Sequence, residues 1–411
     1  MSTNQIKVAE LFAGVGGFRL GLELSSKEGF NTVFANQWEP GIKRQDAYDC
    51  YIRHFGESPC HSNEDIAIAK NMVPPHDLLV GGFPCQDYSV ANSRAKGIEG
   101  KKGVLWWEIR SIVERHRPPY ILLENVNRLI SSPTNMQRGR DLGIILRSLH
   151  DLGYAVEWRV INAADYGCAQ RRRRIFLFAF HSNTPFYREL IQCYSGGMSG
   201  LEQWLTKSGF FAPAFPVKGE WDKHRRIVTS IGEDCYPSLS AVSDCFTACF
   251  QDSGIMMDGE VLSIQTKPVA VPPITLGEII STAPVDERYF ISDENLAKWY
   301  YVKGAKDELR LKKNGSAYRY TEGALPFPDN PDCPARTIIT NEGKINRSSH
   351  VVIDYHSGRL RTLTPEECEL LNGFPPRWTE GIPQSARYKM MGNALVVDLI
   401  KKMGDRLLEI L

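Results

Sequence analysis

The 411-residue sequence lacks the features that most directly mark a class of protein. Its 49 basic and 48 acidic side chains nearly cancel, so any polyanionic partner must be met by a local patch of charge. None of its ten cysteines forms a Cys-x-x-Cys pair, which argues against a structural zinc site and predicts that no metal is bound. It has no long apolar run and shows no signal peptide, so we expect a cytoplasmic protein with reduced thiols.

Residues 6–180 alternate between strand-like and helix-like patterns, which predicts an α/β fold with a mixed, mainly parallel sheet flanked by helices. The predicted strands are 8–12, 32–36, 77–81, 120–124, 156–162 and 175–180, and the predicted helices between them are 17–24, 42–55, 105–115 and 142–152. Residues from about 185 to 355 are rich in Gly, Pro and aromatic residues and lack a helical period, which predicts a second, irregular domain. A last helix is predicted over 394–411.

A glycine-rich turn, Phe12-Ala-Gly-Val-Gly-Gly17, follows the first predicted strand. Its glycines let the backbone approach a ligand closely at the start of a helix, as a nucleotide-type cofactor requires. The spacing is not Gly-x-Gly-x-x-Gly, which disfavours a dinucleotide, and a tight turn without a ligand is the alternative. The second strand ends in Gln37-Trp38, whose indole could stack on an adenine ring or cap the core.

Pro84-Cys85-Gln86 follows the strand 77–81, at the carboxyl end where open α/β sheets build active sites. A thiol on such a stiff loop can act as a nucleophile if a neighbour favours its thiolate, whereas a cysteine taken alone is more often a small buried residue. Residues 87–103 combine glycines with cations, which predicts either a closing loop that meets phosphates or a plain surface loop.

Two further groups carry chemistry at strand ends. Glu124 ends the strand 120–124, where it could exchange a proton with a substrate or serve as a helix cap or salt-bridge partner. Gln170 is followed by four arginines that lead into an apolar strand. Strand alternation places Arg172 and Arg174 on one face, so that this pair could face a cleft while the other pair meets solvent or phosphate.

Taken in order, these motifs resemble those of the DNA cytosine-5 methyltransferase family in its bacterial restriction-modification form, over residues 6–180 and 359–397. The matching segments are Phe12 to Gly17 (the turn that binds the methionine part of S-adenosylmethionine), Pro84-Cys85-Gln86 (the nucleophile loop), Glu124-Asn125-Val126 (the acid motif), Gln170 with Arg172 and Arg174, Arg361 to Pro375 (the motif that packs the recognition domain on the catalytic one) and Gly392-Asn393-Ala394 (the C-terminal cofactor motif).

The resemblance implies a Rossmann-like S-adenosylmethionine-dependent catalytic domain over 1–184 and 376–411, interrupted by a target-recognition domain and hinge over 185–375. The last helix should return to the catalytic domain and pack beside the glycine turn. The enzyme would flip a cytosine out of double-stranded DNA and methylate its C5 atom, leaving S-adenosylhomocysteine. It would act as a monomer in a bacterial or archaeal cytoplasm, in a system with a cognate restriction endonuclease.

The resemblance also assigns residues. Catalytic roles fall to Cys85, Glu124, Arg172 and Arg174, with Arg174 favoured for the cytosine O2 contact. The implied cofactor contacts are Phe12, Ala13, Gly14, Val15, Gly16, Gly17, Gln37, Trp38, Asp65, Ile66, Pro84, Leu105, Asn393 and Ala394. The implied DNA contacts are Gln86, Ser89, Arg94, Lys96, Lys101, Arg225, Arg226, Arg336 and Thr337, and the stretch 303–319 offers further groove and phosphate contacts. Gln37 departs from the acid that is usual there, at a loss of about 1 kcal/mol for an uncharged hydrogen bond.

Three alternatives are weaker. A transfer-RNA cytosine-5 methyltransferase shares the catalytic motifs, and Cys245-Phe246-Thr247 matches a tripeptide of that branch, but the residues after it do not continue the pattern. A nicotinamide-dependent oxidoreductase would explain the glycine turn alone. An inactive DNA-binding relative would have lost the nucleophile or the acid, and this sequence has both Cys85 and Glu124.

Overall fold

The structure is a computed structural model that describes residues 5–83, 104–133, 137–218, 225–312 and 314–411. It divides into two compact units. The first comprises Met1–Tyr166, Arg173–Val271 and Val397–Leu411, and the second comprises Gly167–Arg172 and Pro272–Val396. These boundaries differ from those of the predicted domains, because residues 185–271 group with the first unit and residues 376–396 with the second.

A ten-stranded sheet forms the centre of the first unit. Its strands are β1 (Ile6–Leu11), β2 (Phe30–Asn36), β3 (His61–Ser62), β4 (Leu78–Gly82), β5 (Tyr120–Val126), β6 (Tyr154–Asn162), β7 (Arg173–His181), β8 (Arg226–Ser230), β9 (Ser253–Met257) and β10 (Glu260–Ile264). They lie in the order β3-β2-β1-β4-β5-β7-β6-β9-β10-β8. The first five strands pair in parallel, and β7 is antiparallel to both β5 and β6. The predicted mixed, mainly parallel sheet is confirmed, and all six predicted strands are present.

Helices flank this sheet. They are α1 (Gly17–Ser25), α2 (Asp46–Phe55), α3 (Ile66–Ala69), α4 (Val104–His116), α5 (Arg140–His150), α6 (Pro185–Tyr194), α7 (Met198–Gln203), α8 (Phe211–Ala214) and α9 (Leu239–Cys245), with a π-helical turn at Trp204–Ser208. The second helix starts four residues later than predicted. The reason is the Gln45 side chain, whose amide bonds the backbone of Glu39 and Ile42 and holds the preceding segment as a loop.

Strands β8 to β10 extend the sheet where the sequence pattern predicted irregular structure. β9 and β10 form a hairpin through Asp258 and Gly259, both with positive φ (48° and 81°), as a tight hairpin turn requires. The segment before β8 is fixed to β6 by the buried carboxyl group of Glu157. Glu157 is fully buried and accepts bonds from the backbone N–H groups of Phe210 (2.8 Å) and Phe211 (3.3 Å).

The second unit contains α10 (Leu276–Ile279), α11 (Asp293–Lys303), the hairpin β11 (Lys306–Leu311) and β12 (Ala317–Glu322), the pair β13 (Val351–Ile353) and β14 (Leu360–Thr362), and helices α12 (Pro365–Leu371) and α13 (Gln384–Asn393). Arg361, which is fully buried, lies between Asp354 (3.0 Å) and Glu367 (2.7 Å). Glu367 also completes a capping box with Thr364 at the start of α12. The motif 361–375 therefore builds the interior of this unit.

The last helix, α14 (Val397–Ile410), belongs to the first unit and packs along α1. Gly21 of α1 faces α14 so closely that an added Cβ would lie 2.5 Å from the Cβ of Ile400. Gly404 meets Ser25 in the same way, at 2.8 Å. The predicted return of the C-terminal helix to the first unit is confirmed, and the helix packs along α1, which the glycine turn opens. Among the helices of the described residues, none is long and apolar enough to cross a membrane.

Candidate active site

The glycine turn makes an open cradle between β1 and α1. The chain turns through positive φ at Phe12 (54°), Gly14 (57°) and Gly16 (87°). Gly16 packs against α2, because an added Cβ would lie 2.2 Å from Cε2 of Phe55. At Gly14 an added Cβ would meet no described atom within 4 Å. Gly14 therefore borders open space at the start of a helix, where a ligand can approach the backbone.

The end of β2 closes one side of this cradle. The side-chain oxygen of Gln37 accepts a hydrogen bond from the backbone N–H of Gly14 at 2.7 Å, and Gln37 itself is 8% exposed. Because a backbone N–H only donates, the Gln37 oxygen must face the turn and its NH₂ group must point elsewhere. Trp38, the next residue, is half-buried. The predicted cofactor residues of these two strand ends thus lie side by side.

The third cofactor segment, Ser62 to Ile66, adjoins the end of β2. Gln37 N–H donates to Ser62 O (3.0 Å), and Asn36 Nδ2 donates to Glu64 O (2.8 Å). Asp65 caps α3 by accepting from Ala67 N–H (3.0 Å), and Ile66 is buried. Leu105 on α4 packs, as Phe12 does, against the core beneath the sheet.

A residue that the sequence analysis did not single out lies beneath the turn. Glu10 on β1 is fully buried, accepts a hydrogen bond from the Tyr51 hydroxyl (3.0 Å) and faces Arg19 N–H (3.4 Å). Burial raises the pKa of Glu10 to about 7, against the opposing effect of Tyr51 and Arg19. The sequence feature that could have pointed to Glu10 is its charge within the otherwise apolar run at the end of the first strand.

The candidate acid lies at the end of β5, beside the end of β4. Glu124 pairs in register with Gly82, and its Oε1 lies 2.8 Å from Nε of Arg174 on β7. A Cβ at position 82 would lie 3.3 Å from Oε2 of Glu124, so a side chain there would crowd the carboxylate. The structure therefore brings Glu124 and Arg174 together, as a charge-assisted pair.

Asn125 links this acid to the segment that leads into the predicted nucleophile. Its side chain is buried, and Nδ2 donates to the carbonyl of Phe83 at 2.8 Å. The residues that follow lie outside the described part of the chain, and with them lie seven of the predicted site residues: Pro84, Cys85, Gln86, Ser89, Arg94, Lys96 and Lys101.

The arginine run alternates as predicted, since Arg172 is buried and Arg174 largely so, whereas Arg171 and Arg173 are exposed. Arg172 belongs to the second unit, where its Nη2 donates to the carbonyl of Gly392 at 3.0 Å. Gln170, also fully buried, accepts from Ile338 N–H and donates to Asn372. These two side chains hold together segments of the second unit that are far apart in sequence.

The C-terminal cofactor motif lies in the same unit. Gly392 is required by its packing, because an added Cβ would lie 2.4 Å from the backbone nitrogen of Thr340. Asn393 ends α13, and Ala394 N–H bonds back to Met390 O. Cofactor contacts by Asn393 and Ala394 stay predictions.

The described residues with predicted DNA contacts are engaged internally. Arg225 donates to Gln265 (2.6 Å), and Arg226 pairs with Glu202 (3.3 Å), both in the first unit. In the second unit, Arg336 bonds Asp329 with two nitrogens (2.8 and 3.1 Å) and also the carbonyls of Ser348 and Ser349. Thr337 donates to Arg171 O (2.6 Å). Their DNA contacts stay predictions, and the four bonds of Arg336 favour a structural role for that residue.

Comparison with known proteins assigns the family. The model of the C-5 cytosine-specific DNA methylase family matches residues 6–409. Type II methyltransferase M.Sau3AI of Staphylococcus aureus is 47% identical over 410 residues, which cover 98% of this chain and 96% of that protein. Type II methyltransferase M.HhaI of Haemophilus parahaemolyticus is 33% identical over 178 residues, which cover 43% of this chain and 50% of that protein.

Solved structures agree on the fold. A mutant of Spodoptera frugiperda DNMT2 superposes with a TM-score of 0.58 at 16% identity, covering 99% of both chains. Dnmt2 methyltransferase of S. pombe superposes with a TM-score of 0.55 at 14% identity, covering 98% of this chain and 99% of its own. These structures support the assignment of the fold, and the match along nearly the whole sequence supports the assignment of the family. The chain belongs to the C-5 cytosine-specific DNA methylase family, whose members are DNA cytosine-5 methyltransferases.

Proposed function

We propose that this chain is the modification enzyme of a type II restriction-modification system, which flips a cytosine out of a specific duplex site and methylates it through a covalent bond to Cys85. The observation that carries the proposal is the carboxylate of Glu124, held 2.8 Å from Arg174 at the strand end adjoining the segment that leads into Cys85. A thiol nucleophile and a fixed general acid form the pair that this chemistry needs.

The cradle fits S-adenosylmethionine. Gly14 borders open space, and α1 begins beside it with no side-chain cap at Gly16, so the positive end of a helix can receive the cofactor's carboxylate. Gln37 offers an NH₂ group to ribose hydroxyls, and Trp38 offers an aromatic face for the adenine. The site would be completed by Phe12 to Gly17, Asp65, Ile66 and Leu105. When bound, the cofactor supplies an electrophilic methyl group on a sulfonium.

The protein's own groups act on the cytosine. C5 of cytosine is too weak a nucleophile at neutral pH, and attack of the Cys85 thiolate on C6 breaks the aromaticity and makes C5 enamine-like. Glu124 would bond and protonate N3, so that the developing charge is neutralised. Arg174, whose Nε lies 2.8 Å from Glu124, would hold the cytosine O2. After C5 is methylated, loss of its proton to a base and cleavage of the Sγ–C6 bond restore the thiolate and release the 5-methylcytosine.

Duplex DNA is favoured over transfer RNA as the substrate. The matching family model describes DNA methylases, and M.Sau3AI, which matches over 96% of its own length, is a type II methyltransferase. The likeness to Dnmt2 structures stands at 14–16% identity and concerns the fold alone. We expect a monomer that acts on chromosomal DNA in a bacterial cytoplasm.

The test compares Cys85→Ala and Glu124→Gln with the matched control Cys235→Ala, which removes an exposed cysteine that follows β8, at the opposite edge of the sheet from β3 and β2. Methyl transfer to DNA should vanish in Cys85→Ala and fall by about 10²–10⁴-fold in Glu124→Gln, with Cys235→Ala unchanged. DNA with 5-fluorocytosine at the target should trap a covalent adduct with wild-type protein and none with Cys85→Ala. Normal turnover by Cys85→Ala would refute the mechanism, and methylation of transfer RNA in place of DNA would refute the substrate.

A further inference from the structure

We propose that the hairpin β11–β12 of the second unit is the ribbon that reads DNA bases in the major groove, with Arg319 as its principal base contact. The proposal rests on the proposed function, since it names the surface by which the methyltransferase would select its site. The B-DNA major groove, about 12 Å wide, admits a two-stranded β-ribbon.

The hairpin presents one face entirely to solvent. Its register pairs Asp307 with Thr321, Leu309 with Arg319 and Leu311 with Ala317, so these six side chains share a face. Leu309 is 81% exposed and Leu311 is 74% exposed. In the described part of the chain, β11 and β12 pair with each other and with no third strand. Large apolar side chains at this exposure mark a surface that a partner covers.

The opposite face packs inward on its own unit. The ammonium of Lys306 lies over the ring of Tyr301 on α11 at 5.1 Å, and the guanidinium of Arg310 stacks on Tyr320 at 3.6 Å. The Tyr301 hydroxyl also lies 3.4 Å from Glu308. These contacts fix the ribbon to α11 by one face and leave the other face available.

The charge of the ribbon suits a polyanion. Residues 306–322 carry five basic and three acidic side chains. Each acid already has a basic partner, as Asp307 pairs with Arg319, Glu308 with Arg310 and Glu322 with Lys306. Lys312 is exposed at the start of the turn and has no acidic partner among the described residues. The three acids that would repel DNA are therefore neutralised, while Lys312 at the tip of the hairpin can contact a phosphate.

Arg319 is prepared for base recognition. Its Nε and Nη2 bond both carboxylate oxygens of Asp307, at 2.6 and 2.5 Å, although the two side chains are 71% and 55% exposed. This contact holds the guanidinium fork in a fixed orientation on the open face. Arg319 has five N–H donors, so three remain beside the two that bond Asp307, and an arginine can donate with two N–H groups to guanine O6 and N7. A carboxylate can accept from cytosine N4, and an apolar side chain can contact the thymine methyl group. The open face therefore carries base-reading chemistry, and the tip carries phosphate-binding chemistry.

The experiment measures DNA binding and methylation by Arg319→Ala and Lys312→Ala against Arg288→Ala. Arg288 is the matched control, because it is a similarly exposed arginine of the same unit (61% against 71% for Arg319) that also bonds an aspartate, Asp286. Arg319→Ala should raise the KM for cognate duplex on the order of 10- to 100-fold and relax the preference at one base pair. Lys312→Ala should weaken cognate and non-cognate DNA alike and lower the slope of log K against log salt by about 1.

The outcomes separate this proposal from the function on which it rests. Wild-type protein that methylates no DNA would refute the function. If wild-type protein methylates DNA and the Arg319→Ala and Lys312→Ala variants behave like Arg288→Ala, the base-reading role of the hairpin is refuted and the proposed function stands. Sedimentation of wild type and Leu309→Ser tests the other occupant of this face, since a dimer that dissociates on this change, with unchanged DNA binding, would assign the face to a second copy. Thermal melting checks that each variant is folded.

Discussion

Replacing the buried acid beneath the glycine turn should change how the stability of the protein depends on pH. Glu10 is fully buried, and its pKa is raised from the usual 4.5 to about 7. A raised pKa means that the folded protein holds this proton more tightly than the unfolded chain does. At 1.36 kcal/mol per pKa unit, ionised Glu10 opposes folding by about 3 kcal/mol relative to the protonated form.

The sign follows from the two pKa values. Below pH 4.5 the side chain is protonated in both states, so its favourable contribution is fully present. Between pH 4.5 and about 7 the unfolded chain loses this proton and the folded protein keeps it, so stability falls as the pH rises. Above about pH 7 both states are ionised, and the loss is complete at about 3 kcal/mol.

The assay is urea denaturation of wild type and Glu10→Gln at several pH values from 5 to 8.5. Glutamine resembles the protonated acid and does not titrate, so its free energy of unfolding relative to wild type should rise by about 2–3 kcal/mol across this range. Glu28→Gln, at an exposed glutamate of the same unit, should show a flat difference. A flat difference for Glu10→Gln as well would refute the idea that this carboxyl is buried and titrates near neutrality.

Two further predictions concern the cradle and the helix behind it. Gln37→Ala removes the acceptor for Gly14 N–H and should weaken S-adenosylhomocysteine binding, measured by calorimetry, about 5- to 30-fold. Gln37→Glu keeps an acceptor, so its affinity should stay within a few-fold of wild type. Unchanged affinity in Gln37→Ala would contradict the role of this bond. Gly21→Ala gains about 1 kcal/mol of helix propensity but places a Cβ 2.5 Å from Ile400, so overpacking should dominate and lower the free energy of unfolding by about 1–2 kcal/mol. Gly323→Ala, where the space is open, should change stability little. A stabilised Gly21→Ala variant would show that α14 packs differently.

The sequence predicted the catalytic sheet well because its strands are buried apolar runs bounded by turn residues. The same reasoning missed β9 and β10, although Asp258-Gly259 between two apolar runs is a hairpin signal. The composition of residues 185–355 outweighs that local signal and predicts irregular structure where the hairpin lies.

The strand-end chemistry was predictable to different degrees. Glu124 was found because an acid that ends a buried strand is conspicuous in sequence, but its pairing with Arg174 depends on the register of β5 with β7. Gln170 contacts Asn372 across 202 positions, and no local pattern encodes such a contact. The raised pKa of Glu10 also lay beyond the sequence, because desolvation is a property of the packed fold.

Bisulfite sequencing can show whether this protein methylates cytosines in DNA and whether Cys85 is required. Unmethylated genomic DNA would be incubated with purified protein and S-adenosylmethionine, in parallel with the Cys85→Ala variant. Protected cytosines should appear in one recurring short context with wild type and nowhere with the variant. Absence of protection by wild-type protein that binds the cofactor in calorimetry would refute methylation of DNA through Cys85.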